Sequence, residues 1–271
     1  MRRTILLAAV AAAAVGLVIL GGCIVLGGPP TSFDIGAVTD STVQLTWTTP
    51  AEGSPDAYIV LFKAVTDTNF TAIAETTGTV FVHDPQGMTG YYKVAARFGD
   101  DSYETRTVLS TVPKHESTRV VSELDGTGNA GYGWSRDSGR GRTYSMREAA
   151  NAAYVDFYVT DFQTGSTRLP YCIAGPQMGP GDQSGTVPTA GWRTSGFSDP
   201  LATEQSPLPP YSQNTYFNYT EIRQLPTFMG CYSTWDKHFA LIKVTQVSVA
   251  DATVELETWF QLIPELRLSR H

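Results

Sequence analysis

Two runs near the end of the chain, Phe239 to Val249 and Thr253 to Ile263, are separated only by Ala250-Asp251-Ala252. A connection that short joins neighbouring antiparallel strands, so the pair is a hairpin. Within the second run Val254, Leu256, Phe260 and Leu262 alternate with Glu255, Glu257, Trp259 and Gln261, the period of a strand with one face buried and one face in solvent. The same period recurs upstream. Val43, Leu45 and Trp47 alternate with Gln44, Thr46 and Thr48; Tyr92, Val94 and Ala96 share a face; so do Val155, Phe157 and Val159. Turn segments such as Pro50 to Pro55, Asp84-Pro85 and Gly99-Asp100-Asp101 punctuate these runs. The pattern predicts an all-β chain. Its one helical expectation outside the leader is Met146 to Ala153, behind the capping-box spacing of Ser145 and Glu148.

At 271 residues the chain has room for two domains. The expected division is a leader over 1–22, a Gly/Pro tether over 23–31, a first β-sandwich over 32–113 and a larger antiparallel β-sandwich over 114–271. Lys114 to Thr127 reads as the link between the sandwiches. Pro176 to Pro210, rich in Gly, Pro, Ser and Thr, reads as long surface loops.

The N-terminus carries the most specific signal. Met1-Arg2-Arg3 is a short basic start, Ile5 to Leu20 is wholly apolar or small, and Leu20-Gly21-Gly22-Cys23 follows. A basic start, an apolar core and a small-residue site form the pattern of a secretory signal. The four residues ending at Cys23 resemble the lipobox of bacterial lipoproteins. That resemblance implies cleavage before Cys23, a lipidated thiol and extracytoplasmic attachment to a membrane, the outer one in a diderm cell since Ile24 is not an Asp. Two or three acyl chains, at ~0.8 kcal/mol per buried methylene, give stable anchoring where one does not. The competing reading is an uncleaved anchor, because ~20 apolar residues can span a bilayer.

Leu45-Thr46-Trp47 with Pro50, Tyr58 with Val60, Phe81 with Asp84, and Tyr91-Tyr92-Lys93-Val94-Ala95-Ala96 together resemble a fibronectin type III domain. The resemblance implies that Trp47 lies between two sheets. One position departs from the family: Gly90 stands where a corner tyrosine is common. The final hairpin, with Asp236-Lys237-His238 before its first strand and Phe260-Gln261 ending its second, resembles the end of HmuY-like haem-binding lipoproteins, although the haem-binding histidines of that family have no counterpart here.

The chain holds three cysteines. With Cys23 lipidated, Cys172 and Cys231 remain as an even pair in an oxidising compartment, and a disulfide between them is expected. The formal charge is −7; loss of Arg2 and Arg3 with the leader leaves 17 basic residues against 26 acidic ones, about −9. A body that acidic repels phosphate backbones and anionic headgroups, which disfavours nucleic acid and makes membrane attachment a matter of the anchor.

Sites of chemistry are sparse. Gly126 to Gly131 fits a dinucleotide-loop spacing but leads into Tyr132-Gly133-Trp134, not a helix. The four histidines, His83, His115, His238 and His271, show no metal-binding spacing. No catalytic residue, metal or cofactor is expected. What remains is a set of aromatics in polar, Gly-rich stretches, Tyr132, Trp134, Trp192 and Tyr211 foremost, with Tyr144, Phe197, Tyr216 and Tyr219, beside Arg136, Arg140, Arg142 and Arg193. Such rings either pack the loops or stack on a glycan or protein partner. The leading expectation is therefore a non-enzymatic, membrane-anchored binding, adhesion or structural protein. The alternatives are a carbohydrate- or small-ligand (for example haem) binding lipoprotein, and an enzyme with an unrecognised site.

Overall fold

The computed structural model describes residues 27–163, 169–178 and 190–271. The leader and Cys23 lie outside them. The described chain is all-β, as the alternation predicts, and forms two β-sandwich units.

The first unit pairs a sheet of β1 (Thr31–Ala37), β2 (Val43–Thr48) and β5 (Val80–His83) with a second sheet. The second sheet runs β4 (Thr71–Thr76), β3 (Ala57–Ala64), β6 (Gly90–Phe98), β7 (Asp101–Glu104), and β8 (Leu109–Ser110) also pairs with β6. All pairings are antiparallel. Alternation decides the packing: Val43, Leu45 and Trp47 of β2 are buried against Tyr58, Val60 and Phe62 of β3 and Tyr92 and Val94 of β6. Trp47 meets Tyr58 edge to face at 5.4 Å between centroids. At the departing position, a Cβ on Gly90 would lie 2.3 Å from the Lys63 carbonyl oxygen and 2.6 Å from the Phe62 ring, so no tyrosine fits there. Thr111 closes the module instead, its backbone N–H donating to the Gly90 carbonyl at 2.9 Å and its Oγ1 accepting from the Gly90 N–H at 3.0 Å.

The second unit stacks two five-stranded sheets. One runs β14 (Ser195–Phe197), β16 (Thr227–Ser233), β17 (Phe239–Ser248), β18 (Thr253–Phe260), β9 (Lys114–Ser122). The other runs β11 (Gly141–Tyr144), β10 (Gly131–Trp134), β12 (Phe157–Thr160), β13 (Cys172–Ala174), β15 (Tyr219–Glu221). Phe157, Val159, Tyr171 and Ile173 from one side meet Met229, Ile242, Val254, Leu256 and Phe260 from the other. The terminal hairpin is thus β17–β18, antiparallel and central to its sheet.

Six sequence expectations require correction. Lys114 to Thr127 is not a linker: its first nine residues are β9, an edge strand held by β18. Met146 to Ala153 is not two helical turns but a single 3-10 turn over Ala149–Asn151 with no capping side chain; of the stripe Met146, Ala149, Ala150 and Ala153 only Met146 is buried, too little to hold a longer helix. Trp259 and Gln261 do not face solvent. Leu208, Tyr216 and the loop carrying them cover that face of the sheet around Trp259, so the described part of Pro176 to Pro210 is not simply surface loop, while 179–189 lie outside the described residues. Nor is the second unit self-contained at its end, since Ile263, Leu266 and Leu268 leave it and pack into the core of the first.

The last correction concerns the disulfide. Cys172 and Cys231 are both buried free thiols. Tyr171 and Ile173 point into the inter-sheet core, so Cys172 between them points to the opposite face of its sheet, whereas Cys231 points into the core from the other sheet. A layer of β13 separates the two sulfurs. Burial pushes the Cys172 thiol up to about 12 and raises that of Cys231 well above its ordinary value, so both stay protonated and unreactive.

Candidate functional site

The outer face of the β10–β11 hairpin is built around glycines. Gly131 and Gly133 pair with Tyr144 and Arg142 and share that face with them. A Cβ on Gly133 would sit 1.8 Å from the Tyr154 carbonyl oxygen. Its absence lets the chain before β12 lie directly on β10, bringing Tyr154 and Asp156 to the hairpin. Tyr154 then stacks on Tyr144, with centroids 5.9 Å apart and planes at 13°.

Asp156 is the hub. Its side chain is fully buried and accepts Arg136 Nη1 at 2.8 Å on Oδ2 and Nη2 at 2.7 Å on Oδ1. Arg193 Nη1 reaches both oxygens at 3.2 Å, and the Trp134 N–H donates to Oδ2 at 2.9 Å. Arg136 Nε also donates to Asp236 Oδ2 at 2.5 Å. Burial opposes the charge on Arg136, but its bonds to Asp156 and Asp236 outweigh that and hold the guanidinium protonated. Burial likewise raises Asp236, and Arg136 with Ser233 brings it below its ordinary value.

On this base rest the exposed groups. Arg136 and Arg193 lie beneath Trp235, their guanidinium carbons 5.3 and 4.8 Å from its ring centroid. The indole remains 52% exposed. Three clefts adjoin. A cleft of about 400 Å³ is lined by Arg136, Arg140, Arg142, Arg193, Tyr144 and Tyr154. It shares Arg193 with a cleft of about 330 Å³ holding Trp192 and Trp235. That one shares Thr194 with a cleft of about 600 Å³ lined by Tyr211, Gln213, Phe217, Asn218 and Tyr219. Arg140 and Arg142 are exposed and enter no ion pair with a described residue. Buried Nε of Arg193 has no acceptor among the described residues.

The four foremost aromatics divide. Tyr132 and Trp134 are core side chains, 0% and 3% exposed, both bonded to Thr258 Oγ1 at 3.0 Å. They present no ring to a partner, and Phe197 is likewise core. Trp192 is half-buried in the second cleft, and exposed Tyr211 lies in the third, stacked on Tyr232 at 4.1 Å. Sequence reasoning missed Trp235, Tyr154 and Asp156. The signals were present: an exposed indole in a polar turn, Thr234-Trp235-Asp236-Lys237, and a carboxylate inside the apolar run Val155-Asp156-Phe157. Histidine ligation at the final hairpin has no support, because His238 is buried, stacked on Phe260 and bonded through Nδ1 to the Gln261 carbonyl at 2.9 Å. The described residues contain no group of three or more potential metal ligands, and no described helix is long and apolar enough to cross a membrane.

No family model and no curated protein matches the chain. Solved structures do. A fibronectin type III domain of human collagen XX is 23% identical, covering 32% of this chain and 92% of that one, with a TM-score of 0.27. A computationally redesigned β-sandwich protein is 21% identical over 30% of this chain and 87% of its own, TM-score 0.26. A DUF4466 family protein from Parabacteroides merdae is 11% identical, covering 87% of this chain and all of its own (100%), TM-score 0.41.

Proposed function

We propose that the protein is an extracytoplasmic lipoprotein, tethered through Cys23, whose second sandwich binds a ligand without transforming it. The basic, apolar and small-residue succession ending at Leu20-Gly21-Gly22-Cys23 supports the tether. The observation that carries the binding role is the exposed Trp235 and arginine face fixed from below by buried Asp156. Rigid side chains held ready for a partner are what a recognition surface needs, because little ordering remains to be done on binding. The carboxylates at this face, Asp156 and Asp236, are engaged by arginines, which favours a binding role over acid–base chemistry. The first sandwich serves as a spacer between the membrane and the binding face.

Detergent phase partitioning of the full chain expressed with its leader, alongside Cys23→Ala, tests the tether. Wild type is expected in the detergent phase, beginning at a lipidated Cys23, and the variant in the aqueous phase or with its leader intact but unlipidated. Wild type that partitions with its leader uncleaved and Cys23 unlipidated makes the leader a transmembrane anchor. Recovery of wild type from the cytosol with Met1 in place overturns the reading altogether.

A further inference from the structure

We infer that the three adjoining clefts form one extended site for an acidic oligosaccharide, a sugar chain bearing carboxylate or sulfate groups. The inference rests on the second sandwich being the binding part, and it adds the class of ligand.

The charge argument comes first. Arg136 and Arg193 are balanced by Asp156 and Asp236, but Arg140 and Arg142 point into the same cleft and are balanced by no described carboxylate. In a chain with a formal charge of −7, two unpaired guanidiniums over a neutralised base make a local cationic site against the general trend. Two forks of this kind suit carboxylate or sulfate. Exposed Asp137 in the intervening turn and Glu116, which accepts the Gly141 N–H, are the nearby acids, and they limit the site to a few anionic groups on the ligand.

The aromatic argument is independent. The cations against Trp235 fix an indole that stays 52% exposed, and the Tyr144–Tyr154 stack with exposed Tyr211 and Tyr219 adds further rings along the clefts. Flat rings with fixed backing stack on the apolar faces of pyranoses while hydroxyl-bearing neighbours such as Thr194 and Thr234 meet their edges. Length is the third argument. Clefts of about 400, 330 and 600 Å³ joined at Arg193 and Thr194 exceed what one sugar ring fills. A single-stranded nucleic acid would also find rings and arginines here; the sugar is favoured because hydroxyl-bearing Thr194 and Thr234 beside flat rings suit a pyranose, and titration with each separates the two.

The test is titration calorimetry of the detergent-solubilised full chain with hexagalacturonate, a heparin-derived hexasaccharide, neutral cellohexaose and a single-stranded thymidine dodecanucleotide. At least one acidic hexasaccharide is expected to bind at least about tenfold more tightly than cellohexaose, as loss of charge-assisted hydrogen bonds implies. Arg140→Gln with Arg142→Gln is expected to erase that preference, and Trp235→Ala to weaken the acidic ligand by about tenfold, with Trp235→Phe restoring part of it. All three positions are exposed, and unchanged melting temperatures confirm that the variants fold. Binding of neither acidic sugar, equal binding of cellohexaose, a preference for the dodecanucleotide, or an Arg140/Arg142 double variant that behaves as wild type each overturns the inference. Cellohexaose binding that depends on Trp235 removes the acidic ligand but keeps the binding face, and neither result bears on the Cys23 partitioning experiment.

Discussion

Arg267 holds Asp40 twice: its backbone N–H donates to the Asp40 carbonyl oxygen at 2.7 Å, and its Nε donates to the Asp40 carboxylate at 2.7 Å. The two residues belong to different sandwiches. Around them the C-terminal tail is fastened on both sides, with Gln261 Nε2 donating to the Thr111 and Leu268 carbonyls at 2.9 Å, and Thr89 Oγ1 donating to the Arg270 carbonyl at 2.5 Å. His271 stacks on Trp259 at 4.3 Å and bonds Glu204 at 3.0 Å. The tail of one sandwich is thereby a component of the core of the other.

The first prediction concerns that tail. Leu266 is 0% exposed within the first sandwich's core cluster, although it follows the second sandwich in sequence. Leu266→Ala is expected to destabilise the first sandwich by about 2–5 kcal/mol, the range for a buried leucine truncation. Arg267→Ala, partly exposed, should cost about 1 kcal/mol. Urea unfolding followed through Trp47 and Trp134 fluorescence reads the two sandwiches separately. A first-sandwich midpoint unmoved by Leu266→Ala would mean that the tail is not part of its core.

Asp156 supplies the second. Removing its charge leaves Arg193 without its ion-pair partner and Arg136 with Asp236 alone, in a site where Asp156 is wholly buried. Breaking one side of a buried pair costs about 3–5 kcal/mol. Asp156→Asn is therefore expected to lower the second sandwich's unfolding free energy by that order. It should also loosen the guanidiniums under Trp235 and red-shift the indole emission. A variant with wild-type stability and emission would show that the arginines do not need this carboxylate.

These relationships differ in how far the sequence discloses them. The strand β2 is legible because Val43, Leu45 and Trp47 fall on one face with period two, a local property. Strand β9 is not legible: Lys114 to Arg119 is a polar run on a sheet edge, and what makes it a strand is pairing with β18, more than a hundred residues away. The cysteine pair fails for a related reason. Parity counts thiols but does not say which face of which sheet each one occupies, and Cys172 and Cys231 fall on faces that do not meet. At the site, Arg136, Arg140, Arg142 and Arg193 stand out by composition. Tyr132 and Trp134 are indistinguishable from ligand-facing rings until their alternation is fixed against Gly131 and Gly133, and that depends on which face the chain before β12 covers.

The last prediction is a pH dependence set by Glu123. Its side chain is 0% exposed; its oxygens accept the Asp125 N–H at 2.8 Å and the Asp161 N–H at 3.3 Å. Burial raises the carboxyl from 4.5 to about 7, with the two backbone donors pulling it down and the Asp161 and Asp125 carboxylates pushing it up. Between about pH 4.5 and 7 the folded protein keeps a proton that the unfolded chain has released, so stability falls as pH rises through that window and levels off above it. The decline is on the order of 3–4 kcal/mol, since one pKa unit corresponds to ~1.4 kcal/mol. Glu123→Gln removes the titration and keeps one of the two acceptor oxygens, so its hydrogen-bond cost is the same at every pH. It is expected to gain stability relative to wild type as the buffer moves from about pH 5 to about pH 8, read as a growing difference in urea midpoints, with other carboxylates cancelling in the comparison. A difference that stays constant across that range would place an ordinary, ionised carboxylate at Glu123.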